Sequence, residues 1–106
     1  MVKSSIYIEN VFSAKNIKDR VIGLLNTSEP KPLHLKTRWG IHTFGMKYAI
    51  DVAILDDNFV VQAIKTNLKP WRIYLWNPKF NHVLELPKGT IQTKHIAIYS
   101  HINLTI

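Results

Sequence analysis

Apolar and polar residues alternate along several short segments of this chain, the period that is typical of half-buried β-strands. Residues 5–9 and 101–106 alternate in this way, and residues 33–36 form a shorter segment of the same kind. Residues 48–55 are almost continuously apolar, and an Asp-Asp-Asn turn then leads into residues 59–64. We therefore predict a hairpin whose first strand is central and buried on both faces.

One segment has the spacing of a helix instead. Ser13 is a candidate N-cap, and apolar residues at positions 17, 21, 24 and 25 share one helical face before Pro30. We predict a helix near residues 14–26 and a single helical turn over residues 91–95.

The second half of the chain contains a further pair of strand segments. Residues 71–76 and 82–86 are rich in apolar residues and are separated by an Asn-Pro-Lys turn, so we predict that they pair. Residues 37–46 are aromatic, contain two glycines and have no clear period, which is typical of an irregular segment packed against the body. The fold we predict is mainly β (α+β): a small antiparallel β-sandwich or barrel with one packed helix, formed by residues 1–106 as a single domain.

Composition excludes several classes of protein. The 106 residues include no cysteine, which excludes disulfides, thiolate metal sites and a thiol nucleophile. No apolar run approaches the roughly eighteen residues of a membrane span, and the N-terminus shows no apolar signal core. From these features we predict a cytoplasmic protein without a membrane span; the oligomeric state stays open.

The net charge of +7 makes nucleic acid a candidate partner. The lysines are nevertheless spread along the chain without a dense basic run, so a solvated basic surface is favoured over nucleic-acid binding. If such binding occurs, lysines contact phosphates and exposed tryptophans stack on bases.

Asp51 breaks the pattern most clearly, because it lies within an apolar strand segment. A buried carboxylate needs a cation or hydrogen-bond donors. Arg20 is the candidate partner that we predict, since it shares a helical face with apolar residues. The pair is either the recognition element of a polar pocket or a structural ion pair between helix and sheet.

Four further residues complete a candidate ligand-binding pocket with Arg20 and Asp51. They are His42, Thr43, Trp71 and Glu85, which supply an imidazole, a hydroxyl, an indole and a second carboxylate. Glu85 and Asp51 form an acid–base pair only if their separation allows it, and an exposed position for Glu85 is the alternative. The five histidines have no metal-site spacing, so we predict neither a metal site nor a cofactor.

These residues occur in an order that resembles the prokaryotic family known as domain of unknown function 192. The matching motifs are Arg20-x-x-Gly23-Leu24, His42-Thr43-Phe44-Gly45-Met46, Ile50-Asp51-Val52, Leu68-Lys69-Pro70-Trp71-Arg72 and Val83-Leu84-Glu85-Leu86-Pro87-x-Gly89. The resemblance runs from about Ala14 to the C-terminus. It implies a compact, mostly β, sandwich-like fold in which the Arg-Gly-Leu segment is helical, and it implies no known activity.

The sequence thus favours a binding or accessory domain with a small polar pocket and an unidentified small ligand. Two alternatives from other classes stay open. One is a nucleic-acid-binding β domain, which exposed aromatic residues beside the lysines would favour. The other is a hydrolase that uses Asp51, Glu85 or His42, which an open cleft holding those groups would favour.

Overall fold

The computed structural model describes residues 4–15 and 31–105, which form nine strands and one short helix. The strands are β1 (Ser5–Ile8), β2 (Phe12–Ala14), β3 (Leu33–Lys36), β4 (Gly40–His42), β5 (Ile50–Leu55), β6 (Val61–Leu68), β7 (Ile73–Leu75), β8 (His82–Pro87) and β9 (His101–Leu104). Helix α1 covers Thr90–Thr93. The helix predicted near residues 14–26 lies outside the described residues, apart from Ala14, which ends β2, and Lys15, which follows it in a bend.

A five-stranded sheet in the order β2-β3-β8-β5-β6 forms the centre of the fold. Every residue of β5 is buried, as the apolar segment predicts, and β8 is buried up to its final proline. The predicted hairpin is confirmed, because β5 pairs antiparallel with β6. β8 and β6 flank β5, so β5 is an inner strand of the sheet, and its side chains enter one core cluster on each face.

A two-stranded ribbon packs against each face of this sheet. The parallel β1–β9 ribbon contributes Ile8 and Ile102 to a cluster that contains Leu84. The antiparallel β4–β7 ribbon contributes Ile41 to a second cluster, which contains Val52. The two clusters alternate along β5, because successive residues of a strand point to opposite faces. The sheet therefore separates two apolar cores.

The predicted mainly β, sandwich-like fold is confirmed, and the described strands do not close into a barrel. Two pairs are parallel, β1 with β9 and β2 with β3. The predicted pairing of residues 71–76 with 82–86 is wrong: β7 pairs with β4, and β8 lies between β3 and β5. A local hairpin with β7 would replace one of the two pairings of β8, with β3 or with β5, that place it inside the five-stranded sheet. The apolar side chains on both faces of β8 favour that central position.

Two smaller features of the described chain bear on the sequence predictions. Ser13, the predicted N-cap, lies inside β2 and pairs with His34. The described residues contain no helix with the length and apolar character that crossing a bilayer requires.

A polar network joins β3, β8 and the β5–β6 turn. His34 Nε2 lies 3.0 Å from His82 Nδ1, and His82 Nε2 lies 3.2 Å from a carboxylate oxygen of Asp57. The ring of Phe59 packs against both imidazoles. Burial lowers the pKa of His34, and the positive charges of His82 and Lys36 lower it further.

We expect the free energy of unfolding to decrease in acid, and part of that decrease to depend on His34. The pKa of His34 is below its ordinary 6.5 in the folded protein, so the unfolded chain binds the proton more readily. The contribution of His34 to stability is therefore complete above pH 6.5 and is lost as the pH falls through the lowered folded pKa. Urea melts at about pH 7.5 and about pH 5 measure it. The His34→Gln variant should depend less on pH; an unchanged dependence would contradict the prediction.

Candidate functional site

Asp51 is buried, with 1% of its surface exposed, and backbone amides satisfy its carboxylate. One oxygen accepts a hydrogen bond of 3.0 Å from the N–H of Asn67. The other accepts bonds of 3.0 Å from the N–H groups of Gly89 and Ile91, at the start of α1. Asp51 therefore ties β5 to the end of β6 and to the segment that follows β8.

The predicted pairing of Arg20 with Asp51 stays a prediction, because Arg20 lies outside the described residues. The three amides show that Asp51 has hydrogen-bond donors without an arginine. An open cavity of about 220 Å³ adjoins Asp51 and is lined also by Asn67 and Gly89. The carboxylate oxygens are directed to backbone donors around that cavity, which indicates a structural use of this carboxylate.

Glu85 is also buried, with 1% of its surface exposed, but it points to the opposite face of the sheet. It pairs in register with Val52, the neighbour of Asp51 on β5, so the two carboxylates project in opposite directions. On its own face Glu85 acts on Tyr48: burial raises the pKa of the Tyr48 phenol, and the nearby charge of Glu85 raises it further. The fold does not bring Asp51 and Glu85 together as an acid–base pair.

Thr43 joins two loops through a hydroxyl that is fully buried. Its Oγ1 donates to the carbonyl of Lys69 at 2.7 Å and accepts from the N–H of Arg72 at 3.0 Å. The backbone carbonyl of Thr43 also accepts from the N–H of Trp71 at 3.1 Å. These bonds hold the turn at residues 69–72 beside the loop that follows β4.

The two loops present a row of three aromatic rings. The rings of His42 and Phe44 are stacked with their centroids 4.8 Å apart, and those of Phe44 and Trp71 are stacked at 5.7 Å. His42 Nδ1 accepts a hydrogen bond from the N–H of Phe44 at 3.2 Å, so the neutral imidazole carries its proton on Nε2. Of the six predicted pocket residues, the fold thus brings together His42, Thr43 and Trp71.

The apolar surface that begins with these three rings continues onto the outer side of the β4–β7 ribbon. In this ribbon Ile41 and Tyr74 form one cross-strand pair and point to the core. The neighbouring pairs point outward, where Ile73 is 62% exposed and Leu75 is 69% exposed. We call this outward surface the ribbon face; its residues are Trp39, Gly40, His42, Phe44, Trp71, Ile73 and Leu75.

Both tryptophans of the ribbon face combine exposure with an unfavourable backbone conformation. Trp39 is 67% exposed with a φ of 76°, and Trp71 is 65% exposed with a φ of 63°. Large side chains rarely adopt the left-handed region, which costs about 1 to 3 kcal/mol per residue. Since neither indole is buried in return, the exposed rings contribute little to the stability of the fold.

A shallow groove of about 320 Å³ runs along the ribbon face, between Trp39, Phe44 and Leu75. Gly40 lies opposite Leu75 in the ribbon, and a Cβ atom at Gly40 would come within 2.5 Å of the Leu75 side chain. Because Gly40 has no side chain, the side chain of Leu75 can lie over β4. Arg38 is also part of the groove lining, and it adds a charge to an otherwise apolar surface.

The chain segments that build the ribbon face are basic throughout. Residues 31–50 and 58–84 contain no aspartate or glutamate. They contain eight of the fourteen basic residues, which are Lys31, Lys36, Arg38, Lys47, Lys65, Lys69, Arg72 and Lys79. Four of them, Arg38, Lys47, Lys69 and Arg72, are exposed and lie close in sequence to the aromatic residues of the face. These segments therefore give the face a positive charge.

Other parts of the described surface offer less defined chemistry. A cavity of about 490 Å³ lies between β1 and α1, and its lining includes Tyr7, Glu9 and Lys94. Among residues 4–15 and 31–105, no three histidine, aspartate or glutamate side chains converge in a way that could hold a metal ion.

The predicted pocket omitted five residues of the ribbon face: Trp39, Gly40, Phe44, Ile73 and Leu75. A signal for two of them was present in residues 71–76, where both alternating sets of side chains contain large apolar groups. A strand of this kind needs cover on both sides, and among the described residues the β4–β7 ribbon has cover on one side only.

Comparison with known proteins gives a family and a fold. The DUF192 family, described as an uncharacterized ACR, matches residues 7–104. A UPF0127 protein of Pyrococcus horikoshii is 43% identical over 58 residues, which are 55% of this chain and 50% of that protein. A UPF0127 protein of Pyrococcus furiosus is 33% identical over 67 residues, 63% of this chain and 57% of that protein. The chain thus spans about half the length of the curated relatives it matches.

Two crystal structures are similar in fold. A proposed transcription regulator from Sinorhizobium meliloti has a TM-score of 0.74 at 16% identity, covering 84% of this chain and 76% of its own. A protein of unknown function from Novosphingobium aromaticivorans has a TM-score of 0.72 at 14% identity, covering 84% and 70%. At such identities the similarity concerns the fold alone. The family match, in contrast, spans nearly the whole chain, and the protein belongs to the DUF192 family.

Proposed function

We propose that this protein is a binding module whose ligand lies on the ribbon face. The observation that carries the proposal is the row of His42, Phe44 and Trp71, whose two larger rings are exposed, beside two outward aliphatic residues. A contiguous apolar surface of this kind is characteristic of interaction sites, because leaving it in water contributes nothing to folding. The module binds without catalysis in this proposal, and a cytoplasmic location remains a prediction.

The predicted polar pocket contributes to this proposal only in part. His42 and Trp71 belong to the ribbon face, and Thr43 holds their two loops together. Asp51 and Glu85 lie on opposite faces of the central sheet. That separation supports a binding function over a hydrolase that would use both carboxylates.

An aromatic anion tests the ribbon face as a binding surface. Anilinonaphthalene sulfonate (ANS) has fused rings for the groove and a sulfonate for the surrounding cations. We expect ANS to bind the folded protein and to shift the amide NMR signals of β4, β7 and the turn at residues 69–72. Trp71→Ala should weaken binding at least about fivefold, since a well-packed aromatic contact is worth about 1 kcal/mol.

Tyr7→Ala is the matched control, because Tyr7 is as exposed as Trp71 but lies on β1, whose ribbon packs against the opposite face of the sheet. The affinity of the Tyr7→Ala variant for ANS should equal that of the unmodified protein. Shifts confined to the cavity near Tyr7 and Lys94, or binding that Trp71→Ala leaves unchanged, would contradict the proposal.

A further inference from the structure

We infer that the ligand of the ribbon face is single-stranded nucleic acid. This inference rests on the proposed function and names the class of ligand that the same face binds. Two properties of the face carry it: accessible indole rings for bases, and basic side chains for phosphates on chain segments that contain no aspartate or glutamate.

The stacking surface is supplied by rings that are already held in place. Trp71 ends the row formed with Phe44 and His42, and with 65% exposure it has surface left for a base. Trp39 offers a second exposed indole at the groove. Stacking on a fixed ring requires little ordering of the protein, because the turn that carries Trp71 is pinned by Thr43. Each base stacked in this way contributes a several-fold gain in affinity.

The cations needed for phosphate contacts adjoin these rings. Arg38 directly precedes Trp39, Arg72 directly follows Trp71, and Lys69 lies in the same pinned turn. Within the part of the chain that the structure describes, the exposed Arg72 guanidinium makes two long contacts of 3.4 Å, to nearby backbone carbonyls. Its remaining N–H groups can donate to phosphate oxygens. Because no carboxylate occurs in residues 31–50 or 58–84, the segments that build the face place no negative charge beside a bound phosphate.

The form of the face favours single strands over duplexes. Stacking requires bases whose faces are free, and in a duplex they are covered by their neighbours. The large side chains of the face, Trp39, Phe44, Trp71, Ile73 and Leu75, offer rings and methyl groups with few hydrogen-bond donors, so base edges are not read. We therefore expect binding that tolerates changes of sequence and treats oligothymidylate and oligouridylate alike.

Charge distinguishes this ligand from a protein partner. An apolar surface with tryptophan and arginine also suits protein interfaces, but a partner here would need to be acidic and to fill the groove with apolar groups. Nucleic acid provides the anionic charge and the flat aromatic surface in every residue of its chain.

The test is fluorescence anisotropy with labelled oligothymidylate of about twelve nucleotides, a length within the site size of a single small domain. An abasic oligonucleotide of equal length presents the same phosphates without bases and should bind at least about fivefold more weakly. Trp71→Ala and Trp39→Ala should each weaken oligothymidylate binding at least about fivefold, while Tyr7→Ala leaves it unchanged. Denaturant melts of each variant verify that it is folded.

Salt dependence tests the phosphate contacts separately. With Arg38, Lys47, Lys69 and Arg72 in contact, the slope of log affinity against log salt should be about −3, and affinity should fall about fiftyfold between 50 and 200 mM. Arg38→Gln combined with Arg72→Gln should reduce the slope to about half. Lys94→Gln is the control and should leave the slope unchanged. Lys94 donates to the Tyr7 carbonyl of the β1–β9 ribbon, which packs against the opposite face of the sheet.

The outcomes separate this inference from the proposed function. If ANS binds the ribbon face but the abasic and normal oligonucleotides bind equally, the nucleic-acid inference is wrong and the binding surface stands. If a glutamate-rich peptide containing tyrosine displaces ANS while oligothymidylate does not, the partner is a protein. If neither ANS nor oligothymidylate is sensitive to Trp71→Ala, both proposals are wrong.

Discussion

Replacing Asp51 with alanine should lower the free energy of unfolding by about 3 kcal/mol, the largest effect we expect from a single substitution at a polar residue. The substitution leaves the N–H groups of Asn67, Gly89 and Ile91 without their acceptor. The bond from Ile91 is buried and those from Asn67 and Gly89 are partly buried, and a buried donor without a partner costs about 1 to 3 kcal/mol. Urea melts of the two proteins measure the difference.

Two further variants make this result specific. In Asp51→Asn one acceptor oxygen is kept and an NH₂ group faces backbone donors, so we expect a loss smaller than that of alanine but well above error. Glu9→Ala removes an exposed carboxylate and should change stability by less than about 0.5 kcal/mol. A midpoint for Asp51→Ala within error of the unmodified protein would show that the three hydrogen bonds contribute nothing. Oligothymidylate binding by folded Asp51→Ala should be normal, because Asp51 is not part of the ribbon face.

Replacing Thr43 with valine should lower the free energy of unfolding by about 2 kcal/mol and also weaken binding at the ribbon face. Valine keeps the volume of threonine but removes the hydroxyl that donates to the Lys69 carbonyl and accepts from the Arg72 N–H. The turn at residues 69–72 then keeps its two backbone hydrogen bonds with Thr43 but loses those to the hydroxyl, so the stacked position of Trp71 becomes less populated. Melts and ANS titration measure the two effects.

Thr43→Ser is the matched control for this prediction, since serine retains the hydroxyl and loses only a methyl group. We expect it to recover most of the binding and to show a smaller loss of stability. If serine and valine weaken ANS binding equally, the hydroxyl does not position Trp71. If valine destabilises the protein without changing ANS affinity, the turn keeps its place through other contacts.

The burial of Asp51 followed from its apolar neighbours, but its partners did not. The predicted partner was Arg20, which lies outside the described residues, and the amides that bind Asp51 are 16, 38 and 40 residues away in sequence. Every residue except proline carries a backbone N–H, so the sequence does not show which backbone N–H groups will bind a carboxylate. Sequence reasoning therefore looks for a charged side chain where backbone geometry provides the hydrogen bonds.

Glu85 illustrates a different limit. Strand alternation left two alternatives for Glu85, a buried and an exposed position, and in the structure Glu85 is buried. Alternation fixes which residues of one strand share a face, but the relation between strands depends on register. Only the pairing of Glu85 with Val52 shows that Glu85 and Asp51 point away from each other.

By itself the sequence determined the mainly β class, the β5–β6 hairpin and the buried position of β5, because side-chain period and turn residues are local properties. It also determined the basic charge and the presence of three tryptophans. Only the tertiary structure decided that β7 pairs with β4, which leaves Ile73, Leu75 and two of the tryptophans in solvent. That outcome depends on competition among strands distant in the chain: β8 takes the central position that buries both its faces, and β7 is left in a ribbon that can bury one.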